Sequence, residues 1–335
     1  MRKGIKGKGI LLFSGGLDSI LAAKVLMEQD LELTGLFIVL PFTAPDLDLT
    51  TTDTAIRAKD IGLPLIFHRC GIDYLDMFKE PPHGYGKNMN PCIDCKIYFM
   101  NKAAELMRKT GSDFVATGEV VGQRPMSQIR HTMNHLEKSS GLKGRLVRPL
   151  SAGLLKPSIP EQEGIIDRER LYSINGRSRR IQMELAEKYG ITGYSSPAGG
   201  CLFTDPAFSA RARDLVMHHD RVTPEDIFLL TIGRHFRLHD RAKIIVSRNE
   251  SENIELDKYA EMADIFFRPA FKGPLAYSMG DLDENDIIQA GRIIARYSKP
   301  DQGTRVITVQ RKSCAVKEIR AEDPLPDDII ADLRI

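Results

Sequence analysis

Apolar positions follow two rhythms along the first 120 residues, and their alternation predicts strands and helices in turn. Gly9-Ile-Leu-Leu-Phe13 is a short continuous apolar run, the pattern of a buried strand. From Asp18 to Gln29 the apolar residues Ile20, Leu21, Ala23, Val25 and Leu26 fit a helix. Leu33–Leu40 predicts a second strand, Thr51–Ile61 a helix and Leu65–His68 a third strand after Pro64. Cys95–Lys109 predicts a helix and Phe114–Thr117 a fourth strand. This order implies an α/β fold, with a parallel sheet covered on both faces. Ligands of such sheets sit beyond the carboxyl ends of the strands. That directs attention to Ser14–Ser19, to the segment after Leu40 and to Gly118 onward.

The pattern then changes. A helix is expected from about Asp167 to Tyr189, interrupted near Gly176, and another near Phe208–His218. Beyond Val222, Arg237–Val246 and Arg305–Val309 read as strands, and Ile254–Met262 and Glu284–Tyr297 as helices, an α+β mixture. The acidic, proline-containing stretch Ala321–Ile335 reads as a surface tail. We therefore expect three segments: 1–165, a connector 166–220 carrying Cys201, and a smaller C-terminal domain 221–335.

Composition narrows the class. A chain of 335 residues with 42% hydrophobic and 27% charged residues is a globular protein of about two domains. No apolar run approaches the roughly 18–20 residues of a membrane span. Lys+Arg is 47 against Asp+Glu at 45, a formal charge of +2, but the charge is unevenly placed. Residues 121–150 hold Arg124, Arg130, Lys138, Lys143, Arg145 and Arg148 against Glu137 alone, and 168–180 adds Arg168, Arg170, Arg177, Arg179 and Arg180. Five cysteines, an odd number, with a basic start and no apolar leader exclude a secreted disulfide framework and point to the cytoplasm.

Ser14-Gly-Gly-Leu-Asp-Ser19 follows the first strand and opens the first helix. Gly15 and Gly16 let backbone approach an anion, and the N–H groups of Leu17 and its neighbours aim at the same place. Ser14 and Ser19 add hydroxyls. Asp18 belongs at an anion site only with a bridging divalent cation. The string resembles the pyrophosphate-binding loop of the PP-loop ATPases. That resemblance implies a Rossmann-like sheet of the PP-loop (HUP) type, ATP with Mg2+, and adenylation of a carbonyl or carboxylate. Ala116-Thr-Gly-Glu-Val-Val-Gly-Gln-Arg-Pro-Met-Ser-Gln128, with Arg148-Pro-Leu150, resembles the tRNA 4-thiouridine synthetases. It implies that Thr117, Gly118, Gln123 and Gln128 line the pocket for ATP and target base.

Asn90-Pro-Cys-Ile-Asp-Cys95 sets Cys92 and Cys95 at a helix start, where the dipole favours thiolate. Asn-Pro-Cys resembles the tRNA 2-thiouridine synthetases. Cys201 follows two glycines, 106 residues beyond Cys95 (201 − 95). Two readings stay open. Either the three thiols ligate a 4Fe–4S cluster with one open iron, as cluster-dependent tRNA thiolases do, or one thiol carries a persulfide and a second releases the sulfur with disulfide formation. Cys70 and Cys314 read as ordinary buried residues. In the last hundred residues, Gly233-Arg-His, Ala263-Asp-Ile-Phe-Phe267 and Ala295-Arg-Tyr-Ser-Lys299 resemble the NFACT-type RNA-binding domain, with Arg268 at that family's usual His and no Trp.

Together these resemblances imply an ATP-dependent tRNA sulfurtransferase, with 4-thiouridine at position 8 as the product. The alternatives are 2-thiouridine at the anticodon wobble position and a PP-loop amidotransferase or ligase acting on a small molecule. Expected partners are tRNA and a sulfur donor, either sulfide or a desulfurase or persulfide carrier. A homodimer is left open. The basic residues expected at the RNA are Arg124, Arg130, Lys143, Arg145, Arg148, Arg177, Arg179 and Arg180.

Overall fold

The first apolar run forms β1 (Gly7–Leu12), and it becomes the centre of a five-stranded parallel sheet. Its partners are β2 (Leu31–Val39), β3 (Leu65–Arg69), β4 (Phe114–Thr117) and β5 (Leu146–Val147), in the order β3-β2-β1-β4-β5. The computed structural model describes residues 6–194, 200–280, 282–299, 305–312, 316–321 and 323–335. The chain divides into two units, Met1–Cys201 and Leu202–Ile335. The segment 166–220 is thus shared between them, parting at Cys201.

The first unit contains α1 (Leu17–Met27), α2 (Asp53–Asp60), α3 (Ile72–Lys79), α4 (Cys92–Thr110), α5 (Arg130–Ser139), α6 (Ile159–Gln162) and α7 (Arg180–Lys188). Successive β1 side chains point to opposite faces. Leu11 packs with Ile20 and Ala23 of α1 and Ala58 of α2, whereas Ile10 meets Met100 and Ala103 of α4 and Leu136 of α5. The far side of α1 (Leu17, Leu21, Val25) is covered by Leu185 and Ala186 of α7. A helix apolar nearly all round is therefore an internal one. Gly111 ends α4 in the left-handed conformation, φ 64°.

The helix expected from Asp167 is confined to α7. Arg168–Arg170 is a single 3-10 turn. Tyr172 N–H then donates to Pro149 O at 2.9 Å, Ile174 N–H to Leu150 O at 2.8 Å and Gly176 N–H to Val121 O at 2.8 Å. Backbone pairing with a distant segment overrides the local helical pattern here.

The second unit holds α8 (Pro206–His218), α9 (Pro224–Leu229), β6 (Arg234–His239), β7 (Ala242–Val246), α10 (Glu250–Asp257), β8 (Ile265–Pro269), β9 (Ala276–Gly280), α11 (Glu284–Arg296), β10 (Val306–Arg311), β11 (Val316–Arg320) and α12 (Asp327–Leu333). Its sheet is antiparallel, in the order β11-β10-β8-β9-β7-β6. The run read as one strand, Arg237–Val246, is the β6–β7 hairpin, turning at Asp240–Arg241. The helix expected at Ile254–Met262 ends at Asp257, followed by a 3-10 turn, Ala260–Met262. The acidic tail is not merely surface. Ala321, Leu325 and Ile330 join the core with Ile287, Ile294 and Ile307, and Arg334 bridges to Phe236 of β6. No helix among the described residues is long and apolar enough to cross a membrane.

Candidate active site

The chain leaves β1, turns at Gly15 (φ +72°) and enters α1. A Cβ at Gly15 would stand 3.0 Å from Thr54 Cα, so α2 itself shapes the turn. Arg57 Nη1 donates to Gly15 O at 2.7 Å and Thr54 Oγ1 to Ser14 O at 3.2 Å. With these carbonyls held back on α2, the open N–H groups of the first turn of α1 are the available electropositive face. Ser19 Oγ donates to Gly16 O at 2.8 Å and lies 3.5 Å from Ser14 Oγ. The Leu17 side chain faces the core, so only its backbone is available to a ligand. Asp18 is the informative residue. Its Oδ2 accepts from Gln123 Nε2 at 3.0 Å, and its Oδ1 is buried with no hydrogen-bond partner among the described residues. A buried, unmatched carboxylate oxygen at an anion-binding loop fits Mg2+.

Ser14, Asp18 and Ser19 line a cavity of about 230 Å³ with Thr117, Gly118, Glu119, Lys96, Arg124 and Gln128. The structure thus brings both expected segments to one place. Thr117 and Gln128 are buried, and Gln128 Oε1 has no hydrogen-bond partner among the described residues. Gly118 lies against the first turn of α1, where a Cβ would come within 2.6 Å of Asp18 O and 2.7 Å of Ser19 N. Gly118→Ala should therefore displace the Ser14–Ser19 loop. The expected result is a stability loss of about 1–3 kcal/mol from overpacking and an ATP affinity at least about tenfold weaker. Thermal unfolding and calorimetric titration check it, and unchanged ATP affinity would show that Gly118 does not set the loop.

Two further residues that the sequence did not mark for it, Lys96 and Glu119, line this cavity, and Arg148 bonds Glu119 from outside it. Glu119 is largely buried, which alone would raise its pKa, but Lys96 and Arg148 more than offset that and hold it down at about 2. Lys96 Nζ bonds Glu119 Oε1, and Arg148 Nε donates to Oε2 at 3.1 Å. Arg148 also donates to Glu137 Oε2 at 3.1 Å and to Met133 O at 3.2 Å. Expected at the RNA, Arg148 is instead 3% exposed and engaged internally. Only a long-range contact reveals this role.

The basic residues otherwise divide by exposure. Arg124, Arg130, Lys143, Arg177 and Arg180 are exposed, Arg180 pairing with Glu184 at 3.3 Å. Arg145 is half-buried and donates to Asp113 O at 2.9 Å. Arg179 is half-buried, with its Nε unpartnered.

Helix α4 begins at Cys92, on Pro91, and carries the two clustered thiols on its first turn. Cys92 is half-buried. Cys95 is buried, its Sγ 3.0 Å from Tyr74 Oη. Burial, with Cys201 and Cys92 acting in the same sense, pushes the Cys95 thiol up to about 12 against the bond from Tyr74. The helix terminus therefore does not make Cys95 a thiolate in this state; desolvation wins. Cys201 lies within electrostatic reach of both Cys95 and Tyr74. Cys70 is buried, as its position at the end of β3 suggested, and neighbours Cys95. Cys314, and the residues Ser195–Gly199 of the loop before Cys201, lie outside the described residues. Among the described residues, no three Cys, His, Asp or Glu side chains converge at metal-holding distance. Three neighbouring thiols are nonetheless the donor chemistry of an iron–sulfur centre. Asp94, between the cysteines, accepts from His83 N at 3.0 Å and sits 2.6 Å from His83 Nδ1, while His83 Nε2 faces His135 Nε2 at 2.7 Å. These bonds pin the loop ahead of α4.

Residues 4–161 match the family model described as thiamine biosynthesis protein (ThiI), and residues 233–333 match the NFACT protein RNA binding domain. The tRNA-specific 2-thiouridylase MnmA of Leptospira interrogans is 32% identical over 127 residues, 34% of this chain and 34% of that protein. MnmA of Thermus thermophilus is 26% identical over 180 residues, 45% of this chain and 48% of that protein. The matches span a third to a half of these relatives' length. Among solved structures, the U34-tRNA thiolase NcsA from Methanococcus maripaludis, with its [4Fe-4S] cluster, covers 67% of this chain and 68% of its own at 20% identity and a TM-score of 0.33. A 4-thiouridine synthetase–RNA complex with bound ATP covers 56% and 54% at 21% identity and a TM-score of 0.34. The chain therefore carries a ThiI-type domain over residues 4–161, followed by an NFACT-type RNA-binding domain over residues 233–333.

Proposed function

We propose that the protein is an ATP-dependent tRNA sulfurtransferase that converts a uridine carbonyl to a thiocarbonyl. One observation carries this reading above the others. Lys96 lines the nucleotide cavity and directly follows Cys95 on the first turn of α4, so a nucleotide site and a thiol site share one turn of helix. An adenylating ligase of small molecules has no use for that juxtaposition. The ThiI-type domain and the NFACT-type domain support tRNA as the substrate.

In this reading the uridine carbonyl oxygen attacks the α-phosphorus of ATP, and pyrophosphate leaves. A sulfur nucleophile then adds to the activated carbon, and AMP leaves with the oxygen. The first turn of α1, Ser14 and Ser19 hold the pyrophosphate. Asp18 would hold Mg2+, which offsets charge on the phosphates. Lys96, fixed by Glu119, places a cation beside the reacting phosphate, and buried Gln128 offers an unmatched amide oxygen to the base. Cys92, Cys95 and Cys201 would hold a 4Fe–4S cluster, which when bound supplies an open iron for hydrosulfide. Sulfide is the donor in this cluster-held route, in the cytoplasm; a persulfide carrier serves the other route, in which a second thiol releases the sulfur with disulfide formation. We assign 4-thiouridine at position 8 as the product, on the Thr117–Gln128 match. Similarity to the 2-thiouridylases, with Asn90-Pro-Cys92, favours 2-thiouridine as the second reading.

The test is anaerobic purification with iron and sulfide analysis, followed by assay of pyrophosphate release and of thionucleosides in digested tRNA. Pyrophosphate release that depends on tRNA, with a thiolated uridine in the digest, is the expected result. Release without tRNA, or a thiolated or amidated small molecule, overturns it. Retention time and mass distinguish 4-thiouridine from 2-thiouridine.

A further inference from the structure

A second cavity of the first unit is separate from the nucleotide cavity. It is an open groove of about 850 Å³ between α5 and the segment 143–161. Four exposed cations stand on it: Arg130, Lys138, Lys143 and Lys156. Among the described residues, none of the four has an ion-pair partner. The groove has only two carboxylates, and both are already engaged. Glu137 accepts from Arg148 Nη1 at 3.1 Å and from Gly144 N at 2.8 Å. Glu161 accepts from Arg168 Nη1 at 2.6 Å and from Ser158 N at 3.1 Å. Four positive charges are thus left without internal compensation around one concavity.

The position of the groove matters as much as its charge. Arg148 lines it and bonds Glu119, which lines the nucleotide cavity, so one buried ion pair forms a wall common to both. The segment 124–130 borders both as well, with Arg124 and Gln128 at the cavity and Arg130 at the groove. A single phosphate would require donors that converge. Here the cations are spread along an open channel, which suits the repeating charge of a polynucleotide.

We propose that this groove binds the phosphodiester backbone of the RNA substrate next to the target base, and that the chain passes from it over residues 124–130 into the nucleotide cavity. The proposal rests on the tRNA reading above. Arg148 acts here as the wall, not as a phosphate ligand; the ligands are Arg130, Lys138, Lys143 and Lys156.

The test uses the full chain and unmodified tRNA transcript in filter binding from about 50 to 200 mM salt, where each lost phosphate contact lowers the log–log slope by about 0.7–0.9. The triple variant Lys138→Gln, Lys143→Gln, Lys156→Gln should lower the slope by about 2 to 3. The corresponding triple Lys→Arg variant should keep it. ATP affinity, measured on the same preparations, should stay within about twofold of the parent because the cavity is untouched. An unchanged slope in a Gln variant that still binds ATP overturns the proposal. So does loss of tripolyphosphate binding with an unchanged tRNA isotherm, which would assign the groove to a small polyanion. If the parent binds tRNA through the groove yet never releases pyrophosphate, the thiolation reading fails and the groove stands. If pyrophosphate release depends on tRNA but the slope does not move, the groove alone fails.

Discussion

Asp18→Asn lowers tRNA-dependent pyrophosphate release by roughly 10²–10³-fold, with the fold and tRNA affinity retained. The substitution preserves shape, so the amide oxygen still accepts from Gln123 Nε2. What changes lies at the other oxygen. Asp18 Oδ1 is buried without a partner, at the mouth of a loop that otherwise presents only donors and helix dipole. A second donor there would add to the positive field and repel a cation, where the carboxylate would attract one. The effect should therefore appear both as a higher Mg2+ concentration for half-maximal rate and as a lower maximal rate. The check is pyrophosphate release titrated with Mg2+ for both proteins, alongside thermal unfolding. A variant within about threefold of the parent at every Mg2+ concentration would remove Asp18 from the reaction.

The second large effect separates the two halves of the chemistry. Cys92→Ala and Cys201→Ala should each lower thionucleoside formation by about 10³-fold or more, while pyrophosphate release persists within about threefold. Neither thiol lines the nucleotide cavity, so adenylation has no need of them. Cys95→Ala should behave alike in product formation but carries a structural cost. It strips Tyr74 Oη, wholly buried, of its bond to Cys95 Sγ, a loss of about 1–3 kcal/mol. The Cys92 and Cys201 variants are thus the clean probes. Iron content read on the same proteins separates the two sulfur routes. Loss of iron with loss of product supports the cluster, whereas iron-free parent enzyme with full activity supports the persulfide route. A Cys201→Ala protein that still thiolates would leave only the paired cysteines of α4 in the chemistry.

The parts of this site legible in the sequence are those set by neighbours in the chain. Ser14–Ser19 reads as an anion loop because strand, glycines and helix start are contiguous, and β1 to β4 fall within a few residues of their apolar runs. Helix α4 starts at Cys92, ahead of the expected Cys95, with Pro91 as the residue before its first turn. Contacts between distant residues stay hidden. Lys96, Glu119 and Arg148 lie in different elements, and nothing near Arg148 in the chain tells a buried guanidinium from an exposed one. The stretch 171–176 has helical composition but pairs with 149–150 and 121, a preference only the assembled sheet creates. Strands β8 and β9 are short and buried on both faces from Ile265 to Phe267 and from Ala276 to Met279, so they show no polar–apolar alternation to read.

The last helix carries a practical consequence. Strand β6 is the outer strand of its sheet, and its open edge meets Arg334 through the bridge to Phe236 and Ile335 through the bond from Ile335 N to His235 O at 3.0 Å. Exposed edges recruit strands from other molecules. Residues 327–335 therefore shield part of this edge as well as supplying core side chains. Trimming this acidic stretch to obtain a tidier domain would unplug Ile330 and bare β6 together, whereas a tag spliced in after Ile335 leaves both in place.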